Sequence, residues 1–442
     1  MSGRYVLVGS SVAAVAAAEA ILQTEPQAQV WMVGEEKHPF YSRPGLAYYL
    51  AGEVGQDYLF PHLADRLQGV QRIRAHVVAL DVPGKQVLLD NGQRLAYDRL
   101  LLATGSTAVR LNVPGADLPG VLKLDTLEDA SRMLAAGHGA RRAVVVGGGI
   151  TALEIVEGLR AHRLEVHYFL RGGRYWEAVL DEVESDIVER RLKKEGVVLH
   201  HFTEVAEVVT QRGHLAGVVT QKGELVPCGM VGVAIGVRPR KELAEQAGLA
   251  VDRGVLVDEA LRTSAADVFA AGDVAQVFDP RTGKNTLETL WWVARQQGAV
   301  AGKNMAGQAQ AYRRALPLNV TRLAGLTTTI IGQVGMGGGR GDVVEIARGE
   351  SETWQSVPDA IAAQDGFEVN RIRLMLGERH LLGAVVMGDQ TLSRPLYALA
   401  AQQADFSPIR DALLANGANL SAILSDFWRE WRTTGNAQKR SK

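Results

Sequence analysis

Gly147-x-Gly149-x-x-Ala152 follows the apolar run RRAVVV, and Glu154 stands on the helix that this turn opens. The spacing is that of a dinucleotide-binding turn. The first glycine makes a tight turn after a strand. The second lets a pyrophosphate approach the backbone, and the third small residue packs helix on strand. Phosphates then sit at the helix N-terminus, where the N–H groups from Gly149 through Ile150, Thr151 and Ala152 point outward without intrahelical partners. The next strand, LEVHYF, runs into Leu170, where an acid would bind a ribose 2′-hydroxyl. Arg171 and Arg174 follow, and arginine there accommodates a 2′-phosphate. The pattern predicts a nicotinamide nucleotide site that uses NADPH at least as well as NADH. The alternative is that both arginines are solvated loop residues.

A looser copy opens the chain. Gly9-x-Ser11-x-x-Ala14 follows RYVLV, with Ser11 in place of the second glycine. A second strand, VWMVG, ends in Glu35-Glu36 about 20 residues on, where a carboxylate binds both hydroxyls of an adenosine ribose. The alternative for these two is an exposed turn. Further along, Ala271-Gly272-Asp273 ends a short strand, the place where open α/β sheets bind ligands. Taken alone, Asp273 could equally be a turn aspartate. Two such units predict two dinucleotides or a duplicated fold.

Composition limits the elements that must hold these residues. The chain has 442 residues, enough for two or three domains. Its 48 Lys and Arg against 49 Asp and Glu give a formal net charge of -1, with no basic face for nucleic acid. The 48 glycines cluster after apolar β-branched runs, as in α/β nucleotide-binding folds. No run reaches the roughly 18–20 apolar residues of a membrane span. The N-terminal stretch has some features of a signal peptide, but Gly9-Ser10-Ser11 and Glu19 interrupt it, and the βαβ reading accounts for more of it. The single cysteine, Cys228, has apolar neighbours and reads as a core residue; it can form neither an intramolecular disulfide nor a multi-cysteine metal site, so no metal is expected. The lack of disulfides points to the cytoplasm. From about Leu316 the texture changes to antiparallel strands, with a turn at Gly377-Glu378 and a Gly-rich loop at 335–341 that reads as mobile. The tail is helical, with Leu420, Ile423, Leu424, Phe427, Trp428 and Trp431 at helical spacing. Docking on the parent fold or a sister subunit is the plainer expectation for it, and a partner-binding helix the sharper one.

Assembled in this order, the motifs resemble the two-dinucleotide flavoproteins of the pyridine nucleotide–disulfide oxidoreductase superfamily. Ala103-Thr104-Gly105 and WWVARQQGAVAGKNMAG belong to the same series, which covers roughly residues 4 to 310. The resemblance implies an α/β fold with two Rossmann-like dinucleotide-binding domains, for FAD and NAD(P), and a C-terminal α+β interface domain. The expected division is 1–112 with 243–315 for FAD, 113–242 for NAD(P), 316–405 for dimerisation and 406–442 for the tail.

It also implies roles. Gly9, Ser11, Ala14 and Glu35 or Glu36 would hold FAD adenosine and pyrophosphate, with Ala103, Thr104 and Gly105 beside them. Gly272 and Asp273 would hold the ribityl or pyrophosphate. Trp292, Gln297 and the N-terminus of their helix would lie near the flavin pyrimidine. Gly147, Gly149, Ile150, Thr151, Ala152, Arg171 and Arg174 would line the NAD(P) site, with Glu154 near the nicotinamide. Flavin N5 would be the reactive centre, and no side chain is a certain catalytic residue.

The segment PFYSRPGLAYYLAGE resembles the corresponding region of rubredoxin and ferredoxin reductases and of the flavin domain of NADH-dependent nitrite reductases. Arg43 would contact an FAD phosphate. Arg43 and Pro44 stand where thiol-using relatives have a cysteine, and Tyr48 where a lysine is common. The expectation is a homodimeric NAD(P)H oxidoreductase passing electrons to a small iron–sulfur or rubredoxin-like protein. The alternatives are a flavin-only oxidase reducing oxygen, and a flavoprotein subunit or redox-sensing interaction protein.

Overall fold

The computed structural model describes residues 3–61, 66–279, 283–335, 360–366 and 370–440. Apart from Gly335, the Gly-rich loop lies outside the described residues.

The apolar run RYVLV forms the middle of a five-stranded parallel sheet. Its strand order is Val268–Ala270, Arg99–Leu102, Arg4–Val8, Gln29–Gly34 and Val70–Arg74. Helices or strands cover both faces, so the central strands are apolar nearly throughout. Helix Val12–Thr24 follows the first strand and is buried from Val12 to Ile21. Its alanines let helix Trp291–Met305 come close. A Cβ on Gly298 would overlap the Ala13 carbonyl, and one on Gly302 would overlap that of Ala17. The small residues of the two helices are therefore a packing requirement.

A second five-stranded parallel sheet repeats the plan, in the order Val198–His200, Glu165–Phe169, Arg142–Val146, Met230–Val233 and Val121–Lys123. Helix Ile150–Ala161 follows its central strand. A three-stranded antiparallel meander, Val205–Gln211, His214–Thr220 and Leu225–Pro227, lies beside it. The chain crosses between the two halves twice, and the crossings pair as antiparallel strands Ser106–Ala108 and Val237–Pro239.

The C-terminal sheet is antiparallel, in the order Leu318–Leu323, Leu326–Gly332, Leu381–Met387, Asn370–Leu376 and Ala360–Gly366. Side chains alternate across it with period two. Ile330, Met375 and Val385 join the core around helix Ile150–Ala161. Ile331, Leu374, Ala384 and Val386 pack instead on helices Ser393–Ala401, Arg410–Leu414 and Leu420–Arg440. The turn expected at Gly377-Glu378 joins two of its strands, and Gly377 N–H donates to the His380 carbonyl at 2.9 Å. The tail helix docks on this layer through Leu420, Ile423, Leu424, Phe427, Trp428 and Trp431. That is the plainer of the two expectations. Trp428 and Trp431 stack at 5.5 Å between ring centres.

Buried ions lock the C-terminal sheet to the second parallel unit. Arg373 donates to both carboxylate oxygens of Glu184, at 2.8 and 2.9 Å, and Arg371 reaches Asp181 at 2.5 Å. Asp181 also caps helix Glu182–Lys194 in a reciprocal box with Glu184.

Candidate nucleotide-binding sites

A cavity of about 660 Å³ opens at the carboxyl ends of the first sheet, within the usual size of a cofactor cleft. Gly9, Ser11, Glu35, Glu36, Arg43, Ala103, Thr104, Gly105, Gly272 and Asp273, separated by up to 264 positions, all line it. Gly9 has φ +123°, and a Cβ there would overlap the Ala103 carbonyl. Only glycine fits that turn. Helix Val12–Thr24 points its N-terminus at the cavity from Ser11. Such an end attracts phosphate.

The charged residues of the cavity hold one another. Glu35 meets His76 Nδ1 at 2.5 Å. Glu36 accepts from Tyr41 Oη at 2.6 Å and from Arg43. Arg43 also donates to the Asp125 carbonyl. Burial works against the Arg43 charge, but Tyr41, Glu36, Asp125 and Asp273 outweigh it and keep the guanidinium protonated. Asp273 accepts from Ser106 Oγ at 2.7 Å. Asp125 carries Lys123 at 3.0 Å and Arg240 at 4.0 Å on its carboxylate. Asp125, Arg240, Ser106 and His76 line the cavity without any motif announcing them. They come from crossings and strand ends that only the fold brings here.

Three of the expected residues do not line the cavity. Ala14 is fully buried between helix and strand, as the third position of the turn requires. Trp291 lines the cavity, whereas Trp292 packs against the core of the first unit. The helix begins at Trp291, and one residue turns a side chain by about 100°. Gln297 is fully buried and accepts from Gly272 N–H at 2.8 Å through Oε1. It shapes the turn that carries Asp273 rather than lining the cavity.

The second unit repeats the glycine contact. Gly147 has φ +142°, and a Cβ on it would overlap the Ala234 carbonyl. Gly148 has open space where a Cβ would be, and Gly149 caps helix Ile150–Ala161. The side chains of Ile150, Thr151 and Ala152 are buried, so the backbone alone faces outward there. Leu170 is buried as well. Arg171 is exposed and Arg174 half-buried beyond the strand end, while Glu154 is half-buried on the helix.

Cys228 is buried among Val144, Phe169 and Val231, in a core separate from the cavity. Burial pushes its thiol up to about 11. It is therefore protonated at neutral pH and is no nucleophile. Tyr48 stands outside the cavity, with the Arg322 guanidinium 5.3 Å from its ring centre.

Residues 3–298 match the profile of the pyridine nucleotide-disulphide oxidoreductase family. The chain belongs to that family. It is 31% identical over 357 residues to the ferredoxin–NAD(+) reductase component of the biphenyl dioxygenase system of Paraburkholderia xenovorans, covering 79% of this chain and 85% of that relative. It is 28% identical over 433 residues to the epsilon subunit of the NADH-dependent phenylglyoxylate dehydrogenase of Aromatoleum evansii, covering 96% and 98%. Its fold matches the crystal structure of a ferredoxin reductase from Rhodopseudomonas palustris at a TM-score of 0.83 and 24% identity, covering 96% of this chain and 99% of that one. The chain is thus an FAD-dependent NAD(P)H oxidoreductase of the α/β two-dinucleotide class. Among the described residues, no helix is long and apolar enough to cross a membrane.

Proposed function

We propose that this oxidoreductase takes electrons from NADH or NADPH and delivers them to a small iron–sulfur or rubredoxin-like protein. The observation that carries this is the position of the single cysteine, protonated in a core away from the cavity. With no thiolate at hand, electrons leave for an acceptor outside the chain. FAD supplies the chemistry, accepting two electrons and releasing them singly.

The chain supplies positioning and charge. Gly9 and the Ser11 end of its helix hold the pyrophosphate, and Glu35 or Glu36 the adenosine ribose. Arg43 faces a phosphate and Asp273 the ribityl chain. The N-terminus of the Trp291 helix stabilises negative charge near the pyrimidine. Gly147, Gly149 and the backbone N–H groups of Ile150 and Thr151 hold the second pyrophosphate. Glu154 lies by the nicotinamide, and Arg171 and Arg174 favour a 2′-phosphate. The division at 112, 242, 315 and 405, a homodimer and a cytoplasmic location belong to the same proposal.

Anaerobic reduction by NADH and by NADPH, followed by reoxidation with ferredoxin-like proteins, rubredoxin-like proteins and oxygen, tests it. Fast one-electron transfer to a protein acceptor is expected; reoxidation by oxygen alone would make the chain an oxidase. A second reading has its own support. The end-to-end match to a dehydrogenase epsilon subunit suits a flavoprotein subunit of a larger assembly. That reading predicts slow turnover with every free acceptor.

A further inference from the structure

Glu157 lies one turn beyond Glu154 on helix Ile150–Ala161, where three parts of the molecule meet. Helix Leu46–Leu50, from the segment that carries Arg43, packs Leu50 on Gly158 so closely that a Cβ there would stand 2.6 Å from Leu50 Cγ. The His162 ring meets the Leu50 carbonyl at 2.9 Å. The C-terminal hairpin contributes Gly325, whose N–H donates to Glu157 Oε1 at 3.0 Å. Arg322 of that hairpin pairs with Glu53 and lies over Tyr48. Arg191, from helix Glu182–Lys194, donates to the Ala324 carbonyl at 2.6 Å and steadies the same turn. On the inner side, Tyr168 and Tyr175 are fully buried, and their hydroxyls have no hydrogen-bond partner among the described residues.

Burial pushes the Glu157 carboxyl up to about 7. Arg322 and the Gly325 N–H oppose this, while Glu154 and Glu53 add to it. Burial also raises Tyr168 and Tyr175 far above the ordinary phenol value, so both stay neutral. At this junction burial thus brings the Glu157 carboxyl into the neutral range.

We propose that Glu157 is a positioning residue for hydride transfer, whose charge ties the nucleotide helix to the hairpin turn at Gly325 and makes the reductive step depend on pH. This rests on the reading of helix Ile150–Ala161 as the nicotinamide nucleotide site. The ionised carboxylate makes a charge-assisted bond to Gly325 N–H, stronger than the neutral acid can make. Its negative charge also favours the positive charge that develops on nicotinamide as hydride departs. Reduction therefore speeds up as pH rises through neutrality.

The stability effect runs the other way. The folded value lies above the unfolded 4.5, so the contribution of this group is full below about 4.5 and is lost as pH rises to about 7.

Two measurements on the FAD-loaded protein, wild type and Glu157→Gln, test the proposal. One is the anaerobic rate of reduction by NADH and NADPH from about pH 5 to about pH 9. The other is the thermal midpoint over the same range. The wild-type rate is expected to rise on the order of three- to tenfold with a midpoint near neutrality. The glutamine variant stays near the wild-type low-pH rate throughout, and its midpoint loses the wild-type decline between about 5 and about 7. If the decline disappears but the rate profile persists, Glu157 is merely structural and the proposal falls. If neither changes, the placement of Glu157 is wrong. A wild-type protein that neither nucleotide reduces would overturn the nucleotide-site reading itself, and the thermal data would still report on the junction.

Discussion

Single residues divide into those that face the cavity and those that shape it. Asp273 faces it, held by Ser106 at 2.7 Å on a turn fixed by Gln297. Asp273→Ala is expected to lower FAD content in the purified protein at least severalfold, read from the ratio of flavin to protein absorbance; unchanged content would remove its role. Cys228 does neither. Cys228→Ser is expected to leave turnover with NAD(P)H within about twofold, at a stability cost of about 1 kcal/mol for a hydroxyl in an apolar core. A variant that folds as well as wild type and yet loses turnover would restore a redox role to the thiol. The glycine turns were legible because their requirement is local: Gly9 and Gly147 need positive φ and close backbone approach, and three or four neighbouring residues announce it. Trp291 lines the cavity where Trp292 was expected, because a helix start one residue away rotates the whole face.

At the scale of elements, the decisive contact is between helices Val12–Thr24 and Trp291–Met305. Their alanines and glycines announced helices with small faces, and the strand-turn-helix grammar located both. That the two faces meet, more than 280 residues apart in the chain, no local pattern could say. Gly298→Val would drive a branched side chain into the Ala13 backbone. The expected cost is about 1–3 kcal/mol, measured by denaturant unfolding. A greater loss of FAD should accompany it, because the displaced helix carries Ser11 at its N-terminus. Retention of full flavin content would show that the helix pair does not set the geometry of the cavity.

Across the whole molecule, the C-terminal sheet is bolted to the second parallel unit by Arg373, Arg371, Glu184 and Asp181. Glu184 is fully buried; burial raises its carboxyl, against the pull of Arg373. Removing one partner strands the other charge in the interior. Glu184→Ala should therefore destabilise by about 3–5 kcal/mol, seen as an early loss of the tail and sheet in hydrogen exchange. A cost below about 1 kcal/mol would mean that water enters and repairs the site.

What the sequence determined by itself is what short-range physics controls. Glycine at a strand end, free N–H groups at a helix start, period-two and helical apolar spacing, and one cysteine in an apolar run each act within a few residues. Together they set the order of the units, the two tight glycine turns and the apolar surroundings of the single cysteine. The tertiary structure alone decided which charges meet. Arg43 finds Asp125 across 82 residues, and Glu157 finds Gly325 across 168. Such contacts depend on where distant elements come to rest, and a half-buried ionisable group has no signature until its surroundings are assembled around it.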